Sequence, residues 1–190
     1  MNTPRRLLLL ASALLPFAPS VVQAQAWPAK PIKIVVTFAP GGSSDIVARL
    51  LQPGLQEKLG QTVIVENKPG AGSTIGANEV AKAAPDGYTL LVMSNTHTVN
   101  ESLIKSKPYQ LMRDFAPVAP LNYSDLVLVT KGNLGAKSLR ELVAMAKAKP
   151  GALSYASSGP GTPYHMAGEL FKVMAGIAVV HIPYRGSAGA

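Results

Sequence analysis

An α/β fold built on mainly parallel sheets is what the sequence predicts. Short β-branched apolar runs alternate with segments whose apolar residues recur at helical spacing, and Gly-, Pro- and Ser-rich turns separate them. The runs are apolar at consecutive positions, as strands buried on both faces are. With no Cys in 190 residues, neither disulfides nor thiolate metal sites can hold the chain together. It must rest on a packed core, which 47% apolar content allows.

The elements follow in order. Residues 32–38, with Ile32, Ile34, Val35 and Val36, form the first strand, broken by Pro40, Gly41 and Gly42. Ser43 or Ser44 then caps a helix carrying Val47, Leu50, Leu51, Leu55 and Leu59. Pro53-Gly54 is expected to kink or split it, and Gly60 to end it. Residues 62–66 read as the second strand, 67–74 as a turn-rich loop and 75–83 as a helix. Pro85-Asp86-Gly87 is a turn, and a third strand over 88–93 ends at the polar cluster 94–98. Residues 100–120 lack a clean period and read as loop with a short helix, and 126–130 as a strand. Ser138 and Glu141 stand at capping-box spacing and open a helix that ends near Lys149. A strand over 153–157, a tight loop over 158–163, a helix over 164–175 and a strand over 179–184 complete the pattern. Residues 185–190 come straight after that strand, where a doubly wound domain would place a covering helix, so the chain reads as cut short.

The first 26 residues have the layout of a secretory signal peptide. Arg5 and Arg6 precede an apolar run over 7–18, and small residues precede cleavage points near Ala24 or Ala26. The run is shorter than the roughly 20 residues a membrane span needs. Arg5-Arg6 hints at twin-arginine export, but the surrounding residues fit that signal poorly. A soluble, exported, periplasmic protein is expected. Cleavage after residue 26 leaves 164 residues with 16 basic and 10 acidic side chains, a net charge of +6. The lysines are dispersed, with few aromatics between them, which argues against nucleic-acid binding.

Ligands of open α/β sheets sit at the carboxyl ends of strands. Two loops there could carry chemistry. Phe38-Ala39-Pro40-Gly41-Gly42-Ser43-Ser44-Asp45 leads from a strand into a helix. Its glycines admit close backbone approach, and the free N–H groups of a first helical turn favour a carboxylate or phosphate. Ser157-Ser158-Gly159-Pro160-Gly161-Thr162 repeats the design, with Thr162 as cap and Pro163 at the first helical position. An ordinary capped turn is the alternative for each. Asp45 reads as a first-turn carboxylate favoured by the helix dipole, or as a brace for its loop.

Nucleotide and catalytic signatures are absent. There is no Gly-x-x-x-x-Gly-Lys, and Gly70-x-Gly72 has its next glycine one place too late for the dinucleotide pattern. No Gly-x-Ser-x-Gly elbow occurs. His97, His165 and His181 lie far apart. His165 and Glu169, four apart on a helix, could face a metal, but also suit a surface pair or a hydrogen bond back to the loop.

Taken in series, the motifs resemble the substrate-binding proteins of tripartite tricarboxylate transporters, the Bug receptors. Trp27-Pro28-Ala29-Lys30-Pro31-Ile32 matches the start of their mature chains. The resemblance continues through Pro40 to Asp45, Glu66-Asn67-Lys68-Pro69-Gly70-Ala71-Gly72, and Ala84-Pro85-Asp86-Gly87-Tyr88-Thr89-Leu90. Asp114-Phe115-Ala116-Pro117-Val118, Ser158 to His165, and His181-Ile182-Pro183-Tyr184-Arg185-Gly186 extend it over the mature stretch. It implies a two-lobed, flytrap-like periplasmic binding fold, with 27–124 in the first lobe and 125–190 in an incomplete second. It further implies capture of a small carboxylated solute for a membrane permease, without cofactor or metal. By position, Phe38, Ala39, Gly41, Gly42, Ser43, Ser44, Asp45, Ser94, Asn95 and Thr96 would contact the solute from the first lobe. Ser157, Ser158, Gly159, Gly161, Thr162, His165, Tyr184, Arg185 and Gly186 would do so from the second. Family members run to about twice this length. A fragment without binding of its own, an interaction protein docking on a sensor kinase or permease, and a hydrolase using His165 or His181 are the alternatives.

Overall fold

The computed structural model describes residues 26–190. The expected signal peptide, Ala26 apart, lies outside the described residues. Three parallel strands, β1 (Ile32–Val36), β2 (Val63–Asn67) and β3 (Thr89–Val92), form one sheet in the order β2-β1-β3. Ile34 lies opposite both Val65 and Leu90. β4 (Ser154–Ser157) and β5 (Val180–Pro183) make a second, two-stranded parallel sheet with Tyr155 opposite His181. Helices α1 (Ser43–Leu59) and α2 (Thr74–Ala81) follow β1 and β2, α3 (Asn95–Leu103) follows β3, and α6 (Pro163–Ala175) links β4 to β5. α4 (Leu111–Asp114) and α5 (Leu139–Ala148) lie between the two sheets in sequence. The α/β architecture with parallel sheets is therefore the one its alternating pattern predicts.

The central strand dictates where the core lies. Ile32, Ile34 and Val36 share one face of β1 and cluster with Val63, Val92 and Ala48 of α1; Leu55, Leu59, Val65 and Leu90 close around them. Val35, on the opposite face, is fully buried too. Burial on both faces explains why β1 is apolar at every position but Lys33. The N-terminal motif is pinned to the turn before β3. Trp27 packs on Tyr88, and Lys30 reaches Asp86 at 2.9 Å while lying over the Tyr88 ring.

Four expectations differ from what is found. α1 runs unbroken through Pro53, because that position is exposed and the carbonyl the proline leaves unbonded can face water. The polar cluster after β3 is the first turn of α3. Residues 126–130, expected as a strand, have no regular structure: Val127 and Val129 are each 82% exposed, and no described strand supplies a ladder. At α5, Ser138 Oγ accepts from the Glu141 N–H as expected, but the Glu141 carboxylate takes the Lys137 N–H at 2.7 Å rather than that of Ser138. No helix among the described residues is long and apolar enough to cross a membrane.

Candidate functional site

The carboxyl ends of β1, β3, β4 and β5 all feed the loops singled out above. After β1 the chain turns through Gly41, whose φ of +80° suits a residue without Cβ, into α1. Gly42 caps α1 and offers no side chain to its first-turn N–H groups. Asp45 is buried and fully engaged. It accepts from the Gly41 N–H at 2.8 Å, from Arg49 Nε at 3.0 Å and from Asn67 Nδ2 at 3.0 Å. Asn67 Nδ2 also reaches the Phe38 carbonyl at 3.0 Å, so β2 clips the loop in place. Burial works against the Asp45 charge, but the hydrogen bonds from Arg49, Gly41 and Asn67 outweigh it and hold the carboxyl below its ordinary range. Asp45 is thus the brace of the two alternatives, with little capacity left for a ligand. Phe38 packs against the core, which leaves only its backbone toward the loop.

α3 brings a second helix start to the same end of the sheet. Ser94 Oγ accepts from the Thr96 N–H, and His97 Nδ1 takes the Ser94 N–H at 3.1 Å, a capping box with histidine at the third position. That bond leaves Nε2 to carry the proton toward Thr37 Oγ1, 3.4 Å away at the end of β1. His97 is wholly buried, and burial lowers its pKa, keeping it neutral. Thr96 Oγ1, beside it, is buried with no hydrogen-bond partner. An orphaned hydroxyl at a helix start is an available donor.

The 157–162 loop is internally tied. Thr162 Oγ1 donates to the Gly159 carbonyl at 2.6 Å and accepts from the His165 N–H, and Pro163 occupies the first helical position as expected. Ser157 Oγ accepts the Gly159 N–H, and Gly161 donates to His165 Nδ1 at 3.1 Å. His165 thus makes the bond back to the loop, with Glu169 3.9 Å from its Nε2. No group of three or more potential metal ligands occurs among the described residues.

These loops meet. The Ala39 N–H reaches the Arg185 carbonyl at 3.4 Å, and a Cβ on Gly42 would lie 3.3 Å from Ser187 Oγ. A Cβ on Gly161 would lie 3.2 Å from Leu103 and 3.4 Å from Asn100 Oδ1, both on α3. A Cβ on Gly159 would stand 3.2 Å from the Tyr184 carbonyl. Residues 39–42 are therefore closed by 185–188, and Gly161 abuts α3. Ser43 and Asn95 are exposed at the two helix starts, while Ser158 and Gly186 are buried and Tyr184 and Arg185 exposed. Asn67, His97, Thr37, Asn100 and Ser187 were not among the expected site residues. Only His97 had a local signal, standing three residues after Ser94. Ser157 Oγ lies 2.7 Å from His181 Nε2, but Ser157 is 1% exposed and already committed to the loop, so the pair does not present a nucleophile.

Two α/β units with parallel sheets and glycine turns at the strand ends, brought together where 185–188 closes on 39–42, define a periplasmic-binding-protein fold. Residues 47–190 match the family described as "Tripartite tricarboxylate transporter family receptor", and the chain belongs to that family. Protein BugT of Bordetella pertussis is 44% identical over 171 residues, 89% of this chain and 52% of BugT. A solved structure described as that of a periplasmic transporter aligns with TM-score 0.79 and 42% identity over 87% of this chain and 56% of its own. MatC from Rhodopseudomonas palustris, solved with bound malate, aligns with TM-score 0.76 and 32% identity over 84% of this chain and 55% of its own. An R. palustris protein solved with adipate aligns with TM-score 0.76 and 31% identity over 86% of this chain and 55% of its own. The chain spans about half the length of the relatives it matches. Its family and structural neighbours are solute-binding receptors, which sets aside the hydrolase alternative for His165 and His181.

Proposed function

We propose that this chain provides the seam of a periplasmic receptor that captures a small carboxylated solute for a tripartite tricarboxylate-type permease. Residues 27–124 belong to its first lobe and 125–190 to its second, after cleavage of the signal peptide near Ala24 or Ala26. The observation that carries this reading is the closure of 39–42 by 185–188 at the start of α1, whose first-turn N–H groups have no capping side chain. Two relatives were solved with malate and with adipate, both small dicarboxylates. Thr96 Oγ1 supplies an unspent donor from α3. Backbone and hydroxyl donors suit a receptor that must release its cargo, since a buried ion pair brings large opposed desolvation and pairing terms. Calorimetric titration of the full chain with malate and adipate tests it. Saturable binding that Thr96→Val weakens about tenfold, the loss of roughly one buried hydrogen bond, is the expected result. Absence of binding to both acids, or binding indifferent to Thr96, overturns it.

A further inference from the structure

Asp125-Leu126-Val127-Leu128-Val129-Thr130-Lys131 is a β-prone run with no Pro, no Gly and no charge between its two ends. Neither described sheet includes it. Its side chains nevertheless alternate as those of a strand do. Leu128 and Thr130 line a cavity of about 340 Å³ with Leu139 and Leu142 of α5, while Val127 and Val129 are each 82% exposed. A strand-like segment with one side against a helix and no ladder partner is a template for a second strand.

The ends of the run say which strand fits. Asp125 and Lys131 are both exposed, and neither forms an ion pair among the described residues. Tyr123 donates to one Asp125 oxygen at 3.2 Å and leaves the other free. Six residues apart in an extended segment, the two charges stand about 20 Å from each other, too far to pair within one chain.

Two copies laid antiparallel about Leu128 satisfy both ends at once. Leu128 of one copy faces Leu128 of the other, Val127 faces Val129, and Leu126 faces Thr130. Asp125 then faces Lys131 at each end of the ladder. Pairs of β-branched residues and pairs of opposite charge are the cross-strand contacts that stabilise a sheet. Parallel pairing in register would instead set Asp125 against Asp125 and Lys131 against Lys131. The antiparallel contact uses the same patch on both copies and so closes on itself as a two-fold dimer.

We propose that two copies of this chain associate through antiparallel pairing of residues 125–131. The interface stands on this segment alone and is independent of the solute reading above.

Sedimentation equilibrium of the full chain over a wide concentration range tests it. The unaltered protein should show a monomer–dimer equilibrium. Asp125→Lys sets Lys against Lys at both ends, and Lys131→Asp sets Asp against Asp. Each variant alone should therefore dimerise about tenfold more weakly. An equimolar mixture of the two restores opposite charges at both ends, and the double variant Asp125→Lys, Lys131→Asp does so between identical chains. Both should regain the affinity of the unaltered protein, which misfolded variants could not do.

The chain has no Cys, so introduced thiols give a second readout. Leu128→Cys, on the two-fold axis, should cross-link to itself under mild oxidation. Val127→Cys should do so far less, because its counterpart is a diagonal neighbour about 7–8 Å away, beyond disulfide reach. Single charge variants that dimerise as the unaltered protein does overturn the proposal, as does a species larger than a dimer. A chain still monomeric at about 1 mM, the weak end of specific association, also overturns it and leaves the segment to a strand of a different polypeptide.

Discussion

Ser187 stands over Gly42, its hydroxyl 3.3 Å from where a Cβ on that glycine would lie. The contact joins the residue that caps α1 to the turn that follows β5, across the two sheets. It leaves room for a methyl group and little more, because the Ser187 hydroxyl can rotate aside but the turn itself is held by Ala39 N–H to Arg185 carbonyl. The backbone at Gly42 (φ −76°, ψ 166°) suits any residue, so a substitution there tests space alone.

Gly42→Ala should therefore fold with stability changed by less than about 0.5 kcal/mol, while Gly42→Leu should cost about 1–3 kcal/mol by overpacking. Hydrogen exchange locates the effect. In Gly42→Leu the amides of residues 186–190 should exchange faster, and those of β1 to β3 should not. Uniform acceleration, or none, would show that the turn does not close on the helix start.

Asp45 makes a separate test possible because its carboxylate ties the loop after β1 to Arg49 and Asn67. Asp45→Asn removes the charge that Arg49 and the Gly41 N–H address, at an expected cost of about 2 kcal/mol for hydrogen bonds to a buried charge. The pH dependence follows from a folded-state pKa below the ordinary 3.8. The stabilisation is complete above that ordinary value and disappears as pH falls through the folded one, so the acid limb of stability should be steeper in the unaltered protein than in Asp45→Asn. Urea unfolding between about pH 6 and about pH 2.5 measures both limbs. Parallel limbs would remove Asp45 from its role as brace.

How far the sequence discloses such features depends on how local they are. Thr162-Pro163 and Ser138-x-x-Glu141 mark helix starts through contacts within four residues, and α6 and α5 begin there. The start of α3 is equally local, yet its third-position residue is His97 rather than Glu or Gln, so the pattern reads as a polar strand end. The apolar character of 126–130 states what a strand needs and not whether a neighbour exists to pair it. The Asn67 clip on Asp45 and Phe38 spans 22 and 29 residues and has no sequence period behind it. The convergence of the glycine turns is a property of two crossovers, and only the resemblance of the ordered motifs to a known family anticipates it.

His97 carries the last expectation. It is fully buried between α3 and the end of β1, and burial lowers its pKa from the ordinary 6.5, so the folded ring stays neutral where the unfolded one takes a proton. The unfolded chain then binds more protons, so stability rises with pH and is lost on acidification. The contribution is complete above about 6.5 and shrinks as pH drops toward the folded value, by at most about 1.4 kcal/mol per unit. His97→Gln is the informative variant, because Gln at the third helical position can still accept the Ser94 N–H without titrating. Comparing both proteins by urea unfolding at about pH 8 and about pH 5.5 cancels the response of every group the variant retains. The unaltered protein should lose about 1 kcal/mol more than His97→Gln over that interval. Equal losses would mean that His97 is protonated in the folded chain, and then the Ser94 N–H could not be its partner.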